Sequence, residues 1–430
     1  MSSIPSWVGP RLPNWMARVS GVALIAVGLA WPALTWPVPT FATTGIAPVL
    51  PGSVPAAAAL AQTPPMGWNG FNRFFHDVSE ARVEAQARAM VASGMQAAGY
   101  EYVNLDGGWD LLQRGPQGQL QPDPAKFPHG IKPVADYVHS LGLKFGIYTS
   151  AGVTNCATHS AGSYGHYKQD AATFASWGVD YVKLDWCRVP YRYYPGMSRQ
   201  EVSRILGTEM GAAIATAGRA MVYDMNFEAD DTPWMWGANV ANLWRTGQDS
   251  QDRWWSMVFN FTHNVQHYSH ARPGGWNDPD MLEVGNGGMT AIEYQSEFSL
   301  WAEMAAPLIA GTDLAAMSDV TRDILTNKAV IAVDQDPLGL QGRPIANAGG
   351  YWVVVKPLVS GAVAVILFNS TDRAAAISTT AREVGMARTY AYRMVDLWSN
   401  EQSDTAGLIF ARVPAHGVAM YVVTALASAN

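Results

Sequence analysis

The chain has 430 residues, 49% of them hydrophobic and 15% charged, the balance of a globular protein with a sizeable core and not of a disordered one. Its net charge of −7 at pH 7 leaves no basic footprint, which argues against nucleic acid as a partner. Seventeen tryptophans are a high count, and flat rings serve core packing and the C–H faces of sugars equally well.

At the N-terminus, Arg11 and Arg18 precede the uncharged apolar run 19–36, the pattern of an export signal. A small-residue exit follows near Thr40–Ala42, and residues 1–42 read as a cleaved signal peptide or, at nearly membrane-spanning length, as an anchor. In both cases the body of the protein lies outside the cytoplasm, secreted or periplasmic. Residues 43–61 are rich in Pro and Ala, lack periodicity and read as a linker.

From residue 62, strand-like runs alternate with helical patterns. The runs are 64–69, 100–106, 144–150, 179–185, 220–225, 242–247, 274–282 and 306–311, with amphipathic segments at 79–99, 130–142 and 168–178. Strand–helix–strand spacing of this kind implies βαβ units, and eight of them imply a closed (β/α)8 TIM barrel over 62–341. Beyond it, 342–430 holds strand-like runs with no helix between them, the pattern of a small C-terminal antiparallel β-sandwich.

The run 179–185, VDYVKLD, carries two charges in an apolar strand. Alternation sets Tyr181, Lys183 and Asp185 on one face and Val182 and Leu184 on the other. In a barrel the polar face points to the axis, and Asp185, as the last strand residue, reaches the C-terminal mouth where barrel enzymes keep their sites. The runs at 100–106 and 144–150 repeat the design with Asn104 and Asp106, and with Gly146 and Tyr148. Cys156 and Cys187, the only cysteines, follow the third and fourth strands on adjacent loops. A bridge between them would stabilise by about 3–4 kcal/mol in the chain-entropy model.

The spacings hold no zinc motif; His263, His267 and His270 lack the Glu that a zinc protease places between its ligands. Neither a phosphate loop nor a serine nucleophile elbow occurs, and no metal or cofactor is implied. Paired carboxylates at a barrel rim suit glycoside hydrolysis. Asp185, beside Lys183, should be ionised as a nucleophile requires. Asp249, flanked by tryptophans, is a candidate acid whose affinity for its proton desolvation would raise; Asp252 competes with it.

Seven segments in order, among them TPPMGWNGFNRF, AGYEYVNLDGGWD, ATFASWGVDYVKLDWC, NLWRTGQDS and PGGWNDPDMLEVGNGG, resemble glycoside hydrolase family 27, the α-galactosidase or melibiase family. The resemblance implies a retaining enzyme that removes terminal α-D-galactosyl residues from an oligosaccharide or polysaccharide. It further implies Asp185 as nucleophile and Asp249, in preference to Asp252, as acid/base, with their carboxyls about 5–5.5 Å apart. Sugar contacts carry over to Trp68, Asp106, Tyr148, Lys183, Arg245 and Asp280, and Cys156 and Cys187 match the family's bridge.

Two departures stand out. The family has two adjacent aspartates after the second strand, whereas here Asp106 is followed by Gly107; Asp110 is too far along to replace the second. The family's Cys-Glu-Trp after strand five is replaced by residues 224–234, where Glu228, Asp224 or Asp230 could stand in for its Glu. Both changes bear on which sugar is held, so β-L-arabinopyranosidase and isomaltodextranase activities are alternatives, with a non-catalytic sugar-binding barrel as a further one.

Overall fold

The computed structural model describes residues 60–156 and 158–426. The expected signal or anchor and nearly all of the linker lie outside those residues. Among the described residues no helix is long and apolar enough to cross a membrane.

Eight short parallel strands form the first layer: β1 Met66–Asn69, β2 Tyr102–Leu105, β3 Lys144–Ser150, β4 Tyr181–Asp185, β5 Val222–Asn226, β6 Leu243–Arg245, β7 Trp276–Asp278 and β8 Leu308–Ala310. Each lies within a run expected to be a strand, apart from one residue at the end of β5. They pair in chain order, with β1 joining both β2 and β8. Between β7 and β8 the ladder is replaced by one parallel bridge, Leu282 to Ala310, which closes the (β/α)8 barrel.

Helices cover the outside, among them Glu80–Ala92, Ile131–Ser140 and Tyr167–Trp177. The segment expected as one helix over 79–99 breaks at Gly94, whose φ of 87° a residue with a side chain would resist. Ser198 and Thr290 start the helices Arg199–Ala215 and Ala291–Glu303, each in a capping box with the Glu three residues on. Between β5 and β6 the helix is replaced by three single 3-10 turns, Ala229–Asp231, Pro233–Met235 and Gly237–Asn239.

Strand register arranges the polar interior. Lys183 sits between Tyr148 on β3 and Asp224 on β5, and Asp185 between Ser150 and Asn226. Val182 and Leu184 point outward, fully buried under the helices. One layer deeper, Asn104, Gly146 and Tyr181 align across β2, β3 and β4. Gly146 has no side chain because a Cβ there would collide with Asn104 Oδ1.

The second layer is antiparallel: β9 Arg343–Ala348, β10 Tyr351–Pro357, β11 Val363–Asn369, β12 Ala375–Thr380, β13 Tyr392–Asp396, β14 Gln402–Thr405, β15 Leu408–Val413 and β16 Val418–Ala425. Six of them form one sheet in the order β14-β13-β16-β11-β10-β9, and β12 pairs with β15 as its small facing sheet. The strand-like runs 350–358, 362–369, 389–398 and 417–423 meet β10, β11, β13 and β16, while β9, β12, β14 and β15 lie outside them. The sandwich grips the barrel through aromatic contacts: Trp254 stacks on His416 at 4.3 Å, and Phe261 meets Trp352 and Phe368 edge-on.

Gly146→Ala should destabilise the protein by about 1–3 kcal/mol, because the new methyl must displace Asn104 inside a closed ring of strands. Thermal unfolding of the two proteins checks this.

Candidate active site

The polar strand faces converge on a pocket of about 810 Å³ at the C-terminal mouth of the barrel. Asp106, Tyr148, Lys183, Asp185, Asn226, Arg245, Asp249 and Asp280 all line it. They come from the ends of strands β2 to β7, so the barrel's closure, not any local motif, brings them together.

Asp185 lies at the base. Its Oδ2 accepts from Tyr148 Oη at 2.9 Å, and its Oδ1 from the Trp186 amide at 2.8 Å and Asn226 Nδ2 at 3.3 Å. Burial pushes its carboxyl up to about 6; Lys183 pulls against this, and the charge of Asp249 adds to it. Above pH 6 it is therefore mainly ionised.

Lys183 Nζ donates to Asp106 Oδ2 at 2.9 Å and lies 5.7 Å from the centre of the Tyr148 ring. Burial alone would strip its proton, but Asp106, Asp185 and Asp280 outweigh that and raise its pKa. Asp106 is held further by Asn69 Nδ2 at 2.7 Å and by the Gly107 amide at 2.7 Å. A disulfide joins Cys156 to Cys187, tying the loops after β3 and β4 beside the pocket with 5.2 Å between their Cα atoms. Both sulfurs approach Asp185 closely enough to suggest a metal site, but a disulfide offers no thiolate for a metal.

Arg245 spans two carboxylates. Nη1 donates to Asp249 Oδ1 and Nη2 to Asp280 Oδ1, both at 2.9 Å. Asp280 also accepts from the Ser250 amide at 2.7 Å, and its own amide closes a turn on Asp278 Oδ1 at 2.8 Å. The turn requires φ of 80° at Asp280, so the residue is both turn former and pocket carboxylate.

Asp249 departs from the sequence expectation. The Arg245 guanidinium holds its carboxyl below the usual range, more than desolvation raises it. The neighbouring tryptophans give no cover: Trp244 is buried with its indole N–H on Asn277, Trp254 stacks on His416, and the Asp249 side chain is 92% exposed. Its competitor Asp252 has both oxygens engaged, one by Tyr294 Oη at 2.7 Å and the other by the Gly288 amide.

Trp68, expected to touch sugar, does not line the pocket. It is 3% exposed, and its indole N–H donates to the Thr312 carbonyl at 2.7 Å. Of the three acids proposed for the loop after β5, only Glu228 lines the pocket. Asp224 lies within the barrel, accepting from Tyr181 Oη at 2.9 Å, and burial with the repulsion of Asp278 pushes it up to about 7. Asp110 accepts from Ser160 Oγ at 2.7 Å and does not line the pocket. His267 stacks on Trp234 at 3.9 Å, and burial pushes it down to about 4. The His263 ring nitrogen donates to the Phe259 carbonyl at 2.8 Å.

Sequence reasoning missed Asn226, Glu283 and the aromatic lining Phe71, Phe75, Trp186 and Phe227. Asn226 could have been found, as the inward residue that ends β5.

Residues 63–336 match the family described as alpha galactosidase A, and residues 348–423 match the alpha galactosidase C-terminal beta sandwich domain. The chain is 44% identical to an alpha-galactosidase of Cyamopsis tetragonoloba over 86% of its own length and 88% of that protein. It is also 44% identical to an alpha-galactosidase of Coffea arabica, over 86% and 95%. Among solved structures, alpha-galactosidase I of Mortierella vinacea superposes with a TM-score of 0.82 at 34% identity, covering 87% of this chain and all of that one.

Two substitutions should move the Asp185 titration in opposite directions. Asp249→Asn removes a negative neighbour and lowers its midpoint below 6; Lys183→Met removes a positive one and raises it. Carboxyl NMR titration of Asp185 in the three proteins measures both shifts.

Proposed function

Because the chain belongs to the alpha-galactosidase family, glycoside hydrolase family 27, we propose that it hydrolyses terminal α-D-galactosides by double displacement, with Asp185 as nucleophile and Asp249 as acid/base. The observation that carries this reading is the contrast between the two carboxylates. Asp185 is half-buried at the base under three hydrogen-bond donors, while Asp249 stands exposed at the mouth on one arm of Arg245.

In the first step an Asp185 oxygen attacks the anomeric carbon, and the bond to the leaving oxygen breaks as that oxygen takes the proton of Asp249. The sugar is then held as an ester of Asp185. In the second step Asp249, now a carboxylate, removes a proton from water; the water oxygen attacks the same carbon and Asp185 leaves, so configuration is retained. The three donors to Asp185 spread its charge as it departs.

Before the first step Asp249 must hold a proton that Arg245 disfavours. A sugar in the pocket covers Asp249 and removes its water, which favours the neutral acid. The same sugar brings hydroxyl donors to Asp185 and favours its anion. The proton thus moves to where the reaction needs it only when substrate is bound.

Tyr148, Lys183, Asp106, Arg245 and Asp280 are the sugar contacts in this reading. Gly107 stands where the family has its second aspartate, so that carboxylate and one charge-assisted hydrogen bond to the sugar are missing. Such a bond contributes about 1.5–3 kcal/mol. That single observation favours the second reading, a shifted specificity towards β-L-arabinopyranosides or isomaltose units on the same machinery.

Initial rates on p-nitrophenyl α-galactoside, α-glucoside and β-L-arabinopyranoside separate the two readings. The α-galactoside should be preferred, and Asp185→Asn should reduce its turnover by at least about 10³-fold; preference for another sugar makes Gly107 a specificity switch. The rate should also fall as pH drops through about 6. Asp185 must be ionised to attack, and its raised pKa sets that limb.

A further inference from the structure

The pocket's base is charged, but its upper wall on the β1 side is aromatic. Phe71 opens the short helix Phe71–Phe74, Phe75 ends it, and both line the pocket. Phe75 is 60% exposed. Its backbone has φ of 51° and ψ of −117°, a region that a bulky residue enters only when its surroundings impose it. The Phe75 amide donates to the Phe71 carbonyl at 2.7 Å, and the two rings meet edge-on with centroids 5.8 Å apart. An exposed apolar residue is ordinary by itself. A phenyl ring held in a strained backbone on the wall of a reaction pocket is not.

Half a turn round the barrel, Trp186 after β4 and Phe227 after β5 line the opposite wall, their rings 4.6 Å apart. The polar groups that can hold sugar hydroxyls, Asp106, Lys183, Arg245 and Asp280, are buried at the base. A space of about 810 Å³ is more than one hexose ring fills. A second ring would lie above the first, at the level of the exposed face of Phe75 and beside the exposed Asp249, which must protonate the oxygen joining the two rings.

We propose that Phe75, backed by Phe71, is the stacking platform for the sugar ring on the leaving side of the scissile bond. The chain then acts best on α-galactosides whose leaving group is itself a sugar. This rests on the galactosidase reading of the same site. Stacking on a C–H face takes no account of individual hydroxyls, so the platform accepts a leaving sugar of more than one kind. Because the contact persists as the bond breaks, it contributes to kcat/KM and not to substrate binding alone.

The test compares kcat/KM of the unaltered chain, Phe75→Ala, Phe75→Leu and Phe75→Trp on an α-galactosyl disaccharide and on α-galactosyl fluoride, which has no leaving ring. Phe75→Ala and Phe75→Leu should each lose about tenfold on the disaccharide and less than about twofold on the fluoride, while Phe75→Trp keeps the disaccharide rate. Turnover of the fluoride reports that each variant is folded. Equal losses on both substrates, or no loss on the disaccharide, would overturn the platform. If the unaltered chain turns over neither substrate, the galactosidase reading itself fails and the platform with it, a result separate from the other two.

Discussion

Two buried cations balance a surplus of carboxylates at the mouth of this barrel, and the rest of the site depends on how they do so. Lys183 is committed to Asp106 and Arg245 to Asp280 and Asp249. Among the described residues Asp185, Asp224 and Asp278 have no ion pair of their own, and burial raises the pKa of all three. A charge in a low-dielectric interior is stable only when paired or hydrogen-bonded. Asp185 retains enough support, from Lys183 nearby and three donors, to ionise near neutrality. Asp224, deeper and repelled by Asp278, is pushed further, to about 7, and burial raises Asp278 beside it. The burial gradient thus gives chemically identical groups different proton affinities, with Asp185 at the pocket and Asp224 and Asp278 beneath it.

Strand geometry enforces that gradient. Parallel register sets Lys183 level with Tyr148 and Asp224, and Asp185 level with Ser150 and Asn226. The disulfide pins together the loops that follow β3 and β4, the strands that carry Tyr148 and Asp185. The aromatic contacts between barrel and sandwich involve the helix Trp254–Asn264, which follows the loop carrying Asp249. The second domain thereby steadies one wall of the site without lining it.

Much of this was legible in the residues. Alternation in VDYVKLD is enough to face Lys183 and Asp185 inward, and the repetition in β2 and β3 marks the same rim. What failed depended on contacts distant in sequence or on side-chain direction. Trp68 turned from the pocket because its indole found the Thr312 carbonyl, 244 residues away. Asp249 has tryptophans near it in sequence, but the rings of Trp244 and Trp254 are occupied elsewhere, and Arg245, four residues earlier, controls its proton instead. The helix–strand pattern could not reveal that Phe75 would be exposed in a left-handed backbone, since only the capping geometry of a four-residue helix requires it.

The most direct test is to trap the reaction at its intermediate with an activated 2-deoxy-2-fluoro-galactoside and map the labelled peptide by mass spectrometry. The account predicts one sugar per chain, bound through Asp185. A label on another residue, or turnover with inversion and no covalent adduct at all, would contradict it.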